Sequence, residues 1–359
     1  MGIRRSQQRT VIEPDDSNSQ PGLVLAHYGQ SSLVESGSGD LIRCATRRNL
    51  PRTVCGDRVM WEPSSPREGV ITRVLERTTA LVRPDRNNRT RPIAANLDQV
   101  VVVLASRPSF EAGMLDRYLV AAELIGATPV IVVNKLDLLD TQGLTRLEQR
   151  LAVYRQLGYS LLFTSTRTTD GLKDLHRQLK PHTSILVGQS GVGKSSLVQA
   201  LLPDLQVRVG ALSELTGLGR HTTTAAQLYH LPDGGDLIDS PGVRDFALCR
   251  VPAAELARGF VEFRPYLGQC RFHNCRHLKE PGCAVQAAAR EGRVSTQRLE
   301  SSPALVATLG DRGDWRCGST DSAAPRVVSV TPAASPSPGH PTGAGGCETR
   351  SDHRAHCSS

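Results

Sequence analysis

The segment TSILVGQSGVGKSSLVQALL (183–202) restricts the fold more than any other. A short apolar run, of the kind a strand buried on both faces needs, leads into Gly188-Gln189-Ser190-Gly191-Val192-Gly193-Lys194-Ser195, and a helical pattern follows. The spacing G-x-x-x-x-G-K-S has a chemical reason. Glycines let the backbone curl close around an anion, and the turn's N–H groups together with the helix N-terminus point at it. Lys194 is then placed for β- and γ-phosphates, the Ser195 hydroxyl for Mg²⁺, and Ser196 continues the same turn.

A second motif precedes the first. Asn134-Lys135-Leu136-Asp137 follows the apolar run PVIVV (129–133). The Asp137 carboxylate can accept two hydrogen bonds from the N1–H and exocyclic amine of guanine, a donor pair that adenine lacks. The Lys135 stem can lie along the ring face, and Asn134 can tie neighbouring loops. Asp239-Ser240-Pro241-Gly242 fits D-x-x-G, with Asp239 facing Mg²⁺ through water and the Gly242 N–H sensing the γ-phosphate. Between them, Gly219-Arg-His-Thr-Thr-Thr224 offers Thr222 and Thr223 to a loop closing over Mg²⁺. An ordinary GTPase has the phosphate loop first and N-K-x-D late. The inverted order implies a circular permutation, tolerable because chain termini often lie close together. It also leaves the D-x-x-G switch at the domain's C-terminal edge, next to the following segment.

Around these motifs the chain alternates strand and helix patterns. Apolar runs at 99–105, 129–133, 160–164, 183–187, 226–231 and 236–238 are separated by helical stretches near 113–125, 142–157, 171–179 and 194–202. That alternation predicts a mostly parallel sheet with helices on both faces. Upstream, LVLAHY, LIRCAT, DRVMWEP and GVITRVL are punctuated by Gly, Pro, Asn and Ser. The length suits a five-stranded barrel of OB type better than a sandwich. The expected organisation is a disordered basic arm (1–20), an OB-type β-barrel (21–90), a permuted α/β P-loop GTPase domain (91–245), a helical metal-binding domain (246–302) and a disordered low-complexity tail (303–359). The N-terminus has no apolar signal core, and no apolar run is long enough to span a membrane, which points to the cytoplasm. Gly2 and Ser6 fit a myristoylation pattern too short to weigh against an unmodified start.

Of the nine cysteines, Cys270, Cys275 and Cys283 cluster around His273 and His277. Three thiolates and one imidazole make a closed tetrahedral zinc site, hence a structural one. Either histidine would serve. The net charge of +8 leaves a nucleic-acid partner open, and Arg43, Arg47, Arg48, Arg52, Arg83, Arg86, Arg89 and Arg91 lie on or beside the expected barrel, either as an RNA-binding face or as a solvated one.

Together, RPIAANLDQ (91–99), NKLD (134–137), GQSGVGKSSL (188–197), GRHTTT (219–224), DSPGVRDF (239–246) and C-x4-C-x-H-x5-C with EPGCAV (280–285) make residues 22–300 resemble the bacterial RsgA (YjeQ) family of ribosome small-subunit-dependent GTPases. The resemblance implies an OB fold, a permuted GTPase domain and a zinc domain. It selects His277 over His273 as the fourth zinc ligand. It implies GTP/GDP, Mg²⁺ and one structural Zn²⁺ as ligands. The implied partner is the small ribosomal subunit and its rRNA, bound late in maturation by a factor whose GTP hydrolysis the subunit stimulates; the chain itself is expected to be a monomer. Val243 stands where Ras-type enzymes carry a water-orienting Gln. The family's catalytic candidate maps to His221, alongside Lys194. After Ser301 the chain departs from the family's final helix. Two other functions stay open: an RNA-binding factor switched by nucleotide with incidental turnover, and a permuted GTPase acting on another RNA.

Overall fold

The computed structural model describes residues 18–84, 90–205, 226–240 and 253–309. The expected arm before 18, the chain beyond 309, and His221, Thr222, Thr223 and Gly242 lie outside the described residues.

The first five strands, β1 (Gln20–Tyr28), β2 (Ser31–Ser36), β3 (Leu41–Thr46), β4 (Arg58–Ser65) and β5 (Glu68–Val74), run in the order β1-β2-β3-β5-β4. β4 pairs back onto β1, which closes a five-stranded barrel. Only β3 and β5 pair in parallel. Val24, Val34, Ile42, Cys44, Val59, Trp61 and Ile71 fill the barrel. Four of these strands coincide with the apolar runs of the sequence. β2 (SSLVES) does not announce itself, because its two apolar residues are adjacent rather than alternating. A register shift in β1 between Val24 and Ala26 lets Ser32, Leu33 and Val34 all be buried.

An antiparallel ribbon, β6 (Ala80–Pro84) and β7 (Thr90–Ala95), leads out of the barrel, so part of the RPIAANLDQ segment is strand. The ribbon returns to the barrel wall through Ala95 N–H to the Cys55 carbonyl (2.9 Å) and Asn96 Nδ2 to the Gly56 carbonyl (2.8 Å).

The α/β unit comprises β8 (Gln99–Ala105), α1 (Ala112–Ile125), β9 (Thr128–Asn134), α2 (Thr141–Gln156), β10 (Ser160–Phe163), α3 (Leu172–Leu179), β11 (Thr183–Val187), α4 (Lys194–Leu201), β12 (Gln227–His230) and β13 (Asp236–Asp239). Its strand order is β10-β9-β8-β11-β13-β12, parallel except for the β12–β13 hairpin. β8 is buried at every position because alternate side chains serve two cores. Val100, Val102 and Leu104 pack in the core that takes in α1 and α2, while Val101, Val103 and Ala105 pack in the one that takes in α3 and α4. One pairing, Ala26 with Gln227, joins the barrel to β12.

The C-terminal part contributes α5 (Ala253–Arg258), a 3-10 segment (Val261–Tyr266), α6 (Ala284–Arg290) and α7 (Thr296–Leu309). α7 runs through Pro303 to Leu309, so residues 303–309, expected as the start of a disordered tail, are helix. Ser301-Ser302-Pro303 reads as a helix breaker because proline removes a donor and crowds the preceding turn. Burial of Ser301, Ser302 and Leu305 against the core offsets that cost. α7 is anchored by Arg298, fully buried, which donates to both oxygens of Glu262 (2.6 and 3.1 Å) and to Asp116 of α1 (2.7 Å). Tyr154 of α2 donates to the same Asp116 oxygen at 2.9 Å, and the Phe260 ring lies 4.9 Å from the guanidinium.

Candidate nucleotide site and metal centre

In parallel sheets ligands bind beyond the carboxyl ends of the strands. The structure places three sequence motifs there. Asn134 ends β9, Gly188 follows β11, and Asp239 ends β13.

The phosphate loop curls between β11 and α4 with Gly191 (φ 81°) and Gly193 (φ 96°) in left-handed conformations. Gly193 has a second constraint: a Cβ there would stand 2.3 Å from Asn134 Nδ2. That amide donates to the Val192 carbonyl at 3.1 Å, and Lys135 Nζ donates to the Gly191 carbonyl and to Arg107 (3.2 Å). The guanine segment is thereby clasped to the phosphate loop. Lys194 Nζ sits inside the loop's curve, 2.6 Å from the carbonyls of both Gly188 and Gln189. Ser195 and Ser196 are exposed at the start of α4, and Ser190 on the loop itself. Burial raises the Asp239 carboxyl above its ordinary range, with the Ser240 amide and the Lys194 ammonium acting the other way. A mouth of backbone N–H groups, an ammonium and a half-buried carboxylate beside exposed hydroxyls fits a triphosphate with a divalent cation.

Asp137 is held by a residue that sequence reading missed. Ser165, just past β10, donates its hydroxyl to Asp137 Oδ1 at 2.6 Å, and Leu136 N–H reaches the Thr164 carbonyl at 3.2 Å. The signal lay in Thr164-Ser165 at the end of the next parallel strand, where the same edge of the sheet had to continue. Arg298 was missed as well, because a single arginine in a helical pattern gives no sign of burial.

In the C-terminal part, the ligand atoms of Cys270, Cys275, His277 and Cys283 all lie within 4.8 Å of one another. Cys270 Sγ is 4.0 Å from Cys283 Sγ and 3.5 Å from His277 Nδ1, which is 3.4 Å from Cys283 Sγ. Tetrahedral zinc at Zn–S of about 2.3 Å requires ligand separations of about 3.8 Å, so the four fit one ion and leave no open position. His273 is exposed and outside the cluster. Burial pushes the Cys275 and Cys283 thiols up, a state that a bound divalent cation reverses by holding thiolates.

On the barrel, Arg43, Arg47, Arg48 and Arg52 are exposed, as is Arg91 on the β6–β7 ribbon, and Arg47 pairs with Glu62 at 3.2 Å. Arg86 and Arg89 lie outside the described residues, as does the side chain of Arg83. No helix among the described residues is long and apolar enough to cross a membrane.

The family model described as RsgA GTPase matches residues 74–249. A protein of Ectopseudomonas mendocina named small ribosomal subunit biogenesis GTPase RsgA is 49% identical over 311 residues, which cover 85% of this chain and 91% of that protein. The chain belongs to the RsgA GTPase family. A relative of the same name from Hahella chejuensis is 50% identical over 307 residues, covering 83% of this chain and 88% of its own. Two solved structures resemble this chain over most of its length. YjeQ from Thermotoga maritima is 32% identical with a TM-score of 0.69, covering 82% of this chain and all of that one. YloQ, described as a circularly permuted GTPase, is 28% identical with a TM-score of 0.67, covering 85% and 99%. The fold is therefore a circularly permuted P-loop GTPase with an N-terminal five-stranded barrel, and the enzyme is a GTP hydrolase. Membership of the RsgA family implies GTP, GDP and Mg²⁺ as its ligands, and the Cys₃His cluster is fit for zinc.

Proposed function

We propose that this GTPase binds the small ribosomal subunit and its rRNA late in maturation, and that hydrolysis, stimulated by the subunit, releases it. The reading is supported by the relatives' printed name and, in the molecule itself, by one observation. The β12–β13 hairpin, which ends in Asp239 at the phosphate site, is also the element to which the arginine-bearing barrel is paired. A contact on the barrel and the state of the γ-phosphate therefore meet on one element.

The residues divide the work as follows. Asp137 reads guanine, Lys135 covers the ring, and Asn134 with Leu136 keeps the segment on the phosphate loop. Gly188, Gln189, Ser190, Gly191, Val192 and Gly193 wrap the phosphates with backbone N–H groups, Lys194 neutralises charge developing on the β- and γ-oxygens, and Ser196 extends the donor row. Mg²⁺ would supply positive charge to offset that of the phosphates. Ser195, one of Thr222 and Thr223, and Asp239 through water would hold it, while Gly242 senses the γ-phosphate. His221 stands in for the absent Gln in directing water. Cys270, Cys275, His277 and Cys283 hold one structural zinc. The functional domains are taken as 21–90, 91–245 and 246–302 with the extension of α7, in a monomer acting in the cytoplasm.

The test is co-sedimentation with purified small subunits. Retention with a non-hydrolysable GTP analogue and loss with GDP is the expected result. Equal retention with both nucleotides would mean that hydrolysis does not drive release.

A further inference from the structure

We propose that His230 is a positioning residue for subunit-stimulated hydrolysis, tying the barrel to the hairpin that carries both switch-bearing segments. The inference rests on the proposed partner and concerns how that partner is felt at the phosphate site.

The hairpin's place in the chain comes first. Residues 206–225, with GRHTTT, lead into β12, and β13 ends in Asp239, the first residue of D-x-x-G. Any shift of the hairpin therefore moves the attachment points of both segments. His230, the last residue of β12, bridges two carboxylates from different parts of the fold. Its Nδ1 is 2.7 Å from Asp236 Oδ1 on β13, and its Nε2 is 2.9 Å from Glu35 Oε2 on β2 of the barrel. The Glu35–His230 contact joins residues 195 apart in the chain.

The surroundings make this contact count. A cleft of about 330 Å³ opens between the barrel and the α/β sheet beside it, lined by Leu23, Glu35, Arg58, Leu228 and Asp236. Leu25 and Leu33 of the barrel share one apolar core with Leu228 and Ile238 of the hairpin, and at the rim of that contact the polar bridge and the Ala26–Gln227 pairing fix the hairpin's register against the barrel. Glu35 in turn pairs across to Leu41 of β3, the strand whose exposed Arg43 belongs to the proposed RNA face. Contact at Arg43 thus reaches Asp239 through one β-strand pair, one ion pair and one hairpin.

An ion pair half open to water adds little to stability, so the variants should fold. The experiment uses the full chain as wild type, Glu35→Gln, His230→Gln, the double variant and the conservative Glu35→Asp. GTP turnover is measured alone and against increasing purified small subunits. In both single variants basal turnover, KM for GTP and the half-saturating subunit concentration should stay within about twofold of wild type, while the maximal stimulated rate falls at least about fivefold, the lower end of ordinary coupling. The double variant should be no worse than either single, and Glu35→Asp should keep most of the stimulation. Undiminished stimulation in either single variant, or losses that multiply in the double, would overturn the proposal. A wild-type chain that small subunits fail to stimulate would instead overturn the assignment of the partner. In that event the coupling is read without subunits, by hydrogen exchange in residues 31–36 with GDP against a non-hydrolysable GTP analogue. Exchange should respond to the nucleotide in wild type and not in His230→Gln, and equal behaviour of the two chains would overturn the proposal.

Discussion

Asn134 and Val192 are separated by 58 residues of chain and by 3.1 Å in space, the Asn134 side-chain amide donating to the Val192 carbonyl. The contact explains why motif order can be inverted without loss. Guanine reading and phosphate binding are joined by side chains across the sheet, and the direction in which the chain visits β9 and β11 does not enter.

Asp137→Asn should exchange the base preference. The carboxylate accepts from two guanine donors, and an amide cannot accept both while offering N–H to a carbonyl. Two charge-assisted bonds at about 1.5–3 kcal/mol each set the scale, so GTP affinity should fall by at least about a hundredfold. Xanthosine triphosphate, with a carbonyl where guanine has its amine, should gain. Equilibrium titration with both nucleotides checks this.

Gly193→Ala should loosen the clasp. The residue sits at φ 96°, and its Cβ would meet Asn134 Nδ2 at 2.3 Å. Strain of about 1–3 kcal/mol at the loop should lower nucleotide affinity about tenfold or more, read by fluorescent GDP binding.

Arg298→Met should be among the most damaging single changes. It leaves the buried Asp116 and Glu262 carboxylates without their counter-ion, a loss on the order of 3–5 kcal/mol. Urea unfolding should show it, and adding Asp116→Asn and Glu262→Gln to the variant should recover part of the loss.

Metal analysis should find one zinc per chain in wild type and in His273→Ala, and substantially less in His277→Ala and Cys283→Ser. The four grouped ligand atoms leave His273 outside. Chelation should loosen the segment from 270 to 283, visible as reduced hydrogen-exchange protection there, because a structural zinc contributes its binding free energy to folding.

The His230 bridge carries a pH signature. The hydrogen bond to Asp236 is the largest influence, and with Glu35 it raises the imidazole from 6.5 to about 9 against the opposing effect of burial. A raised folded value means that the stabilisation is complete below about pH 6.5 and fades as pH climbs through about 9. With the side chain 45% exposed, screening keeps it below about 1 kcal/mol. The difference in unfolding free energy between wild type and His230→Gln should therefore be largest near pH 6 and vanish by about pH 10.

Much of this was legible in the sequence, and for a physical reason. β8, β9 and β11 are buried on both faces, so they stand out as apolar runs, and the motifs follow directly at the strand ends. What escaped depends on tertiary partners. β2 is a strand because a shift in β1 buries three consecutive residues. α7 passes Pro303 because Leu305 finds the core. Ser165 matters because Asp137 arrives beside it, and Arg298 because α1 and the 3-10 segment bring carboxylates to it. None of these leaves a periodic trace.

Phosphate release by the full chain, with Mg²⁺ and GTP, should be measured with small subunits, large subunits or naked rRNA, alongside Lys194→Ala. Slow turnover alone, acceleration by small subunits only, and loss of both in Lys194→Ala is the expected pattern. Equal acceleration by large subunits or free rRNA, or turnover that survives the loss of Lys194, would contradict a subunit-coupled GTPase built on this phosphate loop.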